Sequence, residues 1–285
     1  MVFSYYSARM GACASLRSAR RFSMAMTDRI DVSIILLPLA VFFYFFIFAS
    51  EASAVGGISG SKLVVPDSST VPKGHIEAEP FFSLEFVDDG DDTVRFGGGL
   101  RVTPGLLENL EAGVNINYLN VEDSGLIQTE TNFGDIQAGA KFRLLDHENG
   151  HPFSLAYQGG VTFPVGEGAL WIIEPGGLIL TKNFTDKFSM DYDFVFGIIE
   201  HGSWSFVTDV GFGYYLNSWF QPVLEAAFAF EDPDSGGSVY VFNISAGFTA
   251  DVSDWLIIVL GITPDLYARN TEKEVVISSA FTFYF

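Results

Sequence analysis

From His75 to the end, the chain alternates between apolar and polar or small residues. Ile76, Ala78, Phe82, Leu84 and Phe86 fall on one side of an extended chain, and Glu77, Glu79, Phe81, Ser83 and Glu85 fall on the other. That period of two predicts a β-strand with one greasy face. The pattern recurs. Val94, Phe96, Leu100 and Val102 oppose Arg95, Gly97, Gly99 and Arg101, and Leu110 to Tyr118 sets apolar residues against Glu111, Gly113, Asn115 and Asn117. Ile136 to Leu144 opposes Asp135, Gln137, Gly139, Lys141 and Arg143, and Phe153 to Phe163 opposes Ser154, Ala156, Gln158, Gly160 and Thr162. Residues 171–181 give a weaker strand, interrupted at Pro175-Gly176-Gly177. Phe188 to Ile198 then faces Ser189, Asp191 and Asp193, Trp204 to Tyr214 faces Asp209, Gly211 and Gly213, and Phe220 to Phe230 faces Gln221 and Glu225. Tyr240 to Phe248, Trp255 to Thr263 and Val275 to Phe285 complete twelve segments, the last ending on an aromatic carboxyl terminus.

Twelve strands of this kind, with both termini on one side, predict an all-β fold: a transmembrane antiparallel up-and-down β-barrel. Two sets of connections follow. Those at 104–108, 146–151, 182–186, 216–219 and 250–253 are short and rich in turn formers. Those at 87–92, 121–132, 164–170, 200–203, 231–238 and 264–273 are on average longer and carry acids such as Asp88, Asp89, Asp91, Asp92, Glu122, Asp123 and Asp234. The first set is expected in the periplasm and the second outside the cell. A soluble sandwich would carry Lys and Glu spread over its outer face. Here the polar face is rich in Gly, Ser, Asn and Gln, which suits a narrow polar lumen. Pro80 is expected to mark a bulge or a strand edge.

Composition adds the leader. Arg9, Arg17, Arg20, Arg21 and Arg29 precede fifteen uncharged residues, Ile34 to Phe48, and the sequence Ala52-Ser53-Ala54 follows. This order predicts a Sec signal peptide over residues 1–54, cut after Ala54. Fifteen apolar residues interrupted by Pro38 are short for a spanning helix. Residues 55–73, with their Gly, Ser and Pro, read as a flexible N-terminal segment, and 74–285 as the barrel. Without the leader, 231 residues carry 10 basic and 32 acidic side chains, a balance that speaks against nucleic acid. The one cysteine, Cys13, leaves with the leader, so neither a disulfide nor a thiolate site is expected in the mature chain.

The run Gly134-Asp135-Ile136-Gln137-Ala138-Gly139-Ala140-Lys141-Phe142-Arg143-Leu144-Leu145, with Pro152-Phe153-Ser154-Leu155-Ala156 and Phe163-Pro164-Val165-Gly166, resembles the outer-membrane transporter family named after the meta-pathway of phenol degradation. Val165 departs from the family pattern, where Thr or Ser is commoner. The resemblance implies a transport-like barrel, a Gram-negative outer-membrane location and no fixed substrate.

The lumen-facing candidates are Glu77, Glu79, Arg95, Arg101, Glu111, Asp135, Lys141, Arg143, Asp191, Asp193, Asp209 and Glu225. In the first four strands acids and bases alternate across neighbours, where they can neutralise one another. The seventh to ninth strands hold Asp191, Asp193, Asp209 and Glu225 but no base, so that half of the wall is expected to be acidic. A conducting pore of this kind favours small cationic or neutral solutes over anions. The competing readings are a closed structural barrel and a lipid-modifying enzyme. The second rests on Glu200-His201-Gly202-Ser203 alone, without a Gly-x-Ser-x-Gly elbow, a phosphate loop or metal-ligand spacing. No catalytic residue, cofactor or metal is expected. The expected partners are outer-membrane lipid and lipopolysaccharide, a small-molecule solute, and the barrel-assembly machinery through the strand ending at Phe285.

Overall fold

The computed structural model describes residues 55–60, 62–88, 93–122, 130–165, 170–233 and 237–285. The expected leader, and the loop acids Asp89, Asp91, Asp92, Asp123 and Asp234, lie outside the described residues.

Twelve strands form one closed barrel in which each pairs antiparallel with its sequence neighbours. They are β1 (Ile76–Asp88), β2 (Thr93–Leu107), β3 (Leu110–Glu122), β4 (Glu130–Leu145), β5 (Ser154–Phe163), β6 (Ile172–Asn183), β7 (Phe188–Ile199), β8 (Trp204–Tyr214), β9 (Phe220–Asp232), β10 (Val239–Ser253), β11 (Leu256–Arg269) and β12 (Lys273–Tyr284). β1 closes on β12 through the register Glu77↔Tyr284 to Asp88↔Lys273, and Ile76 and Phe285 exchange backbone bonds at 3.1 and 3.0 Å. Closure leaves no edge, which hydrocarbon requires because it offers a backbone N–H no partner.

The alternation places side chains as expected. Tyr118, Phe142, Tyr157, Tyr192, Phe212 and Leu224 are exposed on the outer surface, while Glu77, Lys141, Gln158, Asp191, Asp209 and Glu225 are buried inside. Outer aromatics touch across strands, with ring centroids 5.4 Å apart for Phe206 and Phe230 and 5.0 Å for Phe230 and Tyr240.

Several connections differ from the expected ones. Pro104-Gly105 is no turn; β2 continues to Leu107, and Gly105 opposes Glu111. Gly is needed there, since a Cβ on Gly105 would collide with the carbonyls of Val71 and Pro72 where the N-terminal segment crosses. β11 runs through Pro264 to Arg269, which shortens the connection expected at 264–273 to 270–272. Pro80 leaves the β1 to β12 register unchanged. The interruption at Pro175 is a register shift inside a continuous β6.

The larger departure is the N-terminal segment. Residues 55–73, expected to be a flexible lead-in, instead thread the lumen. Val55, Ile58, Val65 and Val71 are buried, and so are Ser59, Lys62, Asp67, Ser68 and Thr70. Twelve strands enclose more space than inward side chains fill, and this segment takes up that space. Val55 and Ile58 form an apolar cluster with Ala156, Ile179 and Val195 of the wall.

Candidate functional site

A chain inside a barrel has no ladder to join, so its buried N–H groups need acceptors from the wall. Carboxylates supply them. Glu111 accepts from Ser59 N at 2.7 Å, from Ser59 Oγ at 2.8 Å and from Val71 N at 2.6 Å. Glu225 accepts from Leu63 N and Val64 N, both at 2.9 Å. Thr181 Oγ1 accepts from Ser68 N at 2.9 Å, and Thr103 Oγ1 donates to Gly57 O at 3.0 Å. Bonds to a charged partner contribute roughly 1.5–3 kcal/mol each. Part of the chain's acidity is thereby explained as a set of acceptors for the segment.

Cations complete the arrangement. Lys141, fully buried, lies 3.3 Å from Glu111 and donates to Ser59 Oγ at 2.8 Å and to Asp67 O at 3.1 Å. Lys62, carried by the segment, forms an ion pair with Asp191, with side chains 2% and 0% exposed. Its methylenes lie over Gly211 and Gly213 of β8, where an added Cβ would come within 3.2 Å and 3.0 Å of them. On the other side of the lumen, Gly139 lets the segment backbone approach, since a Cβ there would collide with Gly56 O.

The expected lumen residues divide into four groups. Near β1 and β2, the Arg101 guanidinium bridges Glu79 at 2.7 Å and Glu77 at 3.3 Å, and Thr282 donates to Glu79. Glu111, Lys141, Asp191 and Glu225 hold the segment. Gln158 donates to Asp193, whose cross-strand neighbour is Asp209. Arg95, Asp135 and Arg143 stand away from this centre. Arg95 joins Glu274 at 2.8 Å and Glu272 at 3.5 Å beside the β11 to β12 turn, and Arg143 joins Asp146 at 3.1 Å beside the β4 to β5 turn. Asp135 is half-buried within β4.

The expectation that these acids face an empty acidic half is therefore corrected at Asp191 and Glu225. Lys62 neutralises Asp191, and backbone amides solvate Glu225. Sequence reasoning missed Lys62, Ser59, Val55 and Ile58 because their segment has no period. The signal available was the glycine content of the inner face, at Gly113, Gly139, Gly160, Gly211 and Gly213, far above what strands normally hold. His201 occupies the exposed turn between β7 and β8 with φ 69°.

These features define a transmembrane β-barrel of the outer-membrane type with its own N-terminal segment folded into the pore. The chain belongs to the family described as "Putative MetA-pathway of phenol degradation", whose model matches residues 68–281, in agreement with the resemblance read around Gly134 to Leu145. No curated protein matches it. Among solved structures it is similar to an outer-membrane channel from Pseudomonas putida F1, with TM-score 0.66 and 13% identity over 77% of this chain and 98% of that one. It is also similar to the NanC porin, with TM-score 0.51 and 10% identity over 73% of this chain and 98% of the porin. Both likenesses show the shared barrel fold.

Proposed function

We propose that this barrel is an outer-membrane channel for small neutral or cationic solutes, held closed in this conformation by residues 55–72. The observation that carries the reading is the chemistry of the segment's contacts. They are mostly polar, made to carboxylates and hydroxyls that water can solvate once the segment leaves, and only Val55 and Ile58 join the apolar cluster of the wall. A permanent filling would more economically be built from apolar residues, because replacing buried ion pairs by well-packed hydrophobes is often neutral or stabilising.

Withdrawal of the segment also removes Lys62. The inner face then keeps Glu77, Glu79, Glu111, Asp191, Asp193, Asp209 and Glu225 against Arg101 and Lys141. Such a surface attracts cations, admits neutral molecules and repels anions. The family's description extends the neutral class to aromatic compounds. Sec export with cleavage after Ala54, recognition of the strand ending at Phe285 by the assembly machinery, and a surround of outer-membrane lipid and lipopolysaccharide complete this reading.

Single-channel recording in a planar bilayer tests it, with the reversal potential measured across a salt gradient. Rare openings with a cation-selective reversal potential are expected. Anion selectivity overturns the charge argument. Silence in the wild type and in a variant with a weakened segment favours a closed structural barrel.

A further inference from the structure

The first described residue of the segment, Val55, does not lie at the barrel rim. It is 1% exposed and shares a cluster with Ile58, Ala156, Ile179 and Val195. Its Cγ1 is 2.7 Å from where a Cβ on Gly139 would stand and 2.5 Å from the same point on Gly160. Glu174 Oε2 is 3.2 Å from that Gly160 position. The Val55 side chain and the Glu174 carboxylate therefore border the same small space above Gly160, the cross-strand neighbour of Glu174. Glu174 is half-buried and has no hydrogen bond or ion pair among the described residues. In β7, Val195 of the same cluster stands two residues beyond Asp193, whose cross-strand neighbour is Asp209. Glu174, Asp193 and Asp209 thus bring three acids to this part of the wall. Neither Lys62 nor Lys141 forms an ion pair with Glu174 or Asp193.

We propose that the missing cation is the α-ammonium of the mature chain. Hydrolysis of the Ala54–Val55 peptide bond by a signal peptidase consumes one water. It leaves a carboxylate on Ala54, which departs with the leader, and a new amine on Val55, which takes up a proton. The amine is three bonds from the Val55 methyl that touches the Gly160 position, so once the processed chain has folded it stands within the lumen and in reach of Glu174. Processing then does more than release the chain from the inner membrane. It adds a positive charge to the segment, besides those of Lys62 and Lys73, and anchors the segment's free end to β6. A charged amine inside a barrel needs such a partner, since removing an ion from water without one is costly. The proposal rests on cleavage after Ala54 and is independent of whether the barrel conducts.

The test uses the processed protein purified from outer membranes. Intact mass and N-terminal sequencing come first, and a first residue other than Val55 overturns the proposal. The amine is then labelled with an acetylating reagent across a pH series, the site of modification being read by peptide mass. In the folded barrel the labelling midpoint is expected above the ordinary α-amino range of about 7.7–8.0, because a paired carboxylate favours the charged amine. The rate near neutral pH should be about tenfold below that of the urea-unfolded chain, since one unit of pKa is a tenfold change in the reactive form. Glu174→Gln should bring the midpoint down and raise the rate by a similar factor, with heat-modifiable gel migration confirming a folded barrel. A wild-type midpoint within or below the ordinary range overturns the pairing even where the variant does not fold. So does a profile that Glu174→Gln leaves unchanged.

Discussion

Lys62→Met separates the segment from the barrel most directly. The methionine keeps the unbranched stem that lies over Gly211 and Gly213, so packing is largely retained and only the ammonium is lost. Asp191 is then left fully buried, without its cation, wherever the segment remains seated. Removing one partner of a buried ion pair costs about 3–5 kcal/mol, because the remaining charge is uncompensated. The cost falls almost entirely on the closed state, since an open lumen lets water reach Asp191. At 1.4 kcal/mol per decade, the closed-to-open ratio should fall by about two to three and a half orders of magnitude. Open probability in a planar bilayer reads this directly, and protease cleavage between residues 55 and 72 reads it independently. Asp191→Asn added to Lys62→Met removes the stranded charge, so the double variant should recover part of the closed population, as coupling between contacting residues requires. An unchanged open probability in Lys62→Met would refute the gating role. A double variant that opens as far as the single one would show that the ion pair is not the restraint.

Two further perturbations separate the segment from the wall. Gly139→Val places a side chain where Gly56 O and Val55 Cγ1 now lie, and no wall atom is among the nearest; conductance should rise while the urea midpoint of the barrel stays within error. Phe194→Arg puts a charge on the lipid face, where Phe194 meets Phe206 at 6.2 Å; near the bilayer midplane it should cost about 2–4 kcal/mol in reversible unfolding from lipid, and no loss would mean that the faces have been assigned the wrong way round.

The wall was legible because alternation is a physical requirement. Each residue of a spanning strand faces either lipid or lumen, so Phe142 and Lys141 cannot exchange places without loss. Turns were less legible, because Pro and Gly have two uses. Pro104-Gly105 has the composition of a turn, but Gly105 is there to clear the carbonyl of Pro72. Pro264 reads as a strand end, yet only the ladder to β12 ends there, opposite Val275, while β11 stays paired with β10 to Arg269. Acid placement was legible and acid partnership was not. Asp191 and Glu225 are buried, and their partners Lys62, Leu63 and Val64 come from a segment more than a hundred residues earlier in the chain.

That segment carries no period because it belongs to no ladder, and its bonds run to several different strands. Its imprint is on the wall. A strand glycine gives up packing and backbone entropy, so a barrel facing only water gains nothing from an inner row of them. Gly139 faces Gly56 and Gly160 faces Val55, so those missing side chains coincide with the segment, and Gly211 and Gly213 leave room shared by Lys62 with the Glu225 and Gln221 side chains. The carboxylates show the same complementarity, because a water-filled pore has no need for Glu111 and Glu225 to take two or more donors each from one stretch of chain. A glycine row and an excess of inward acids on the same strands therefore indicate a backbone lying against them. That backbone has to come from a part of the chain outside the barrel strands, and residues 55–73 are that part.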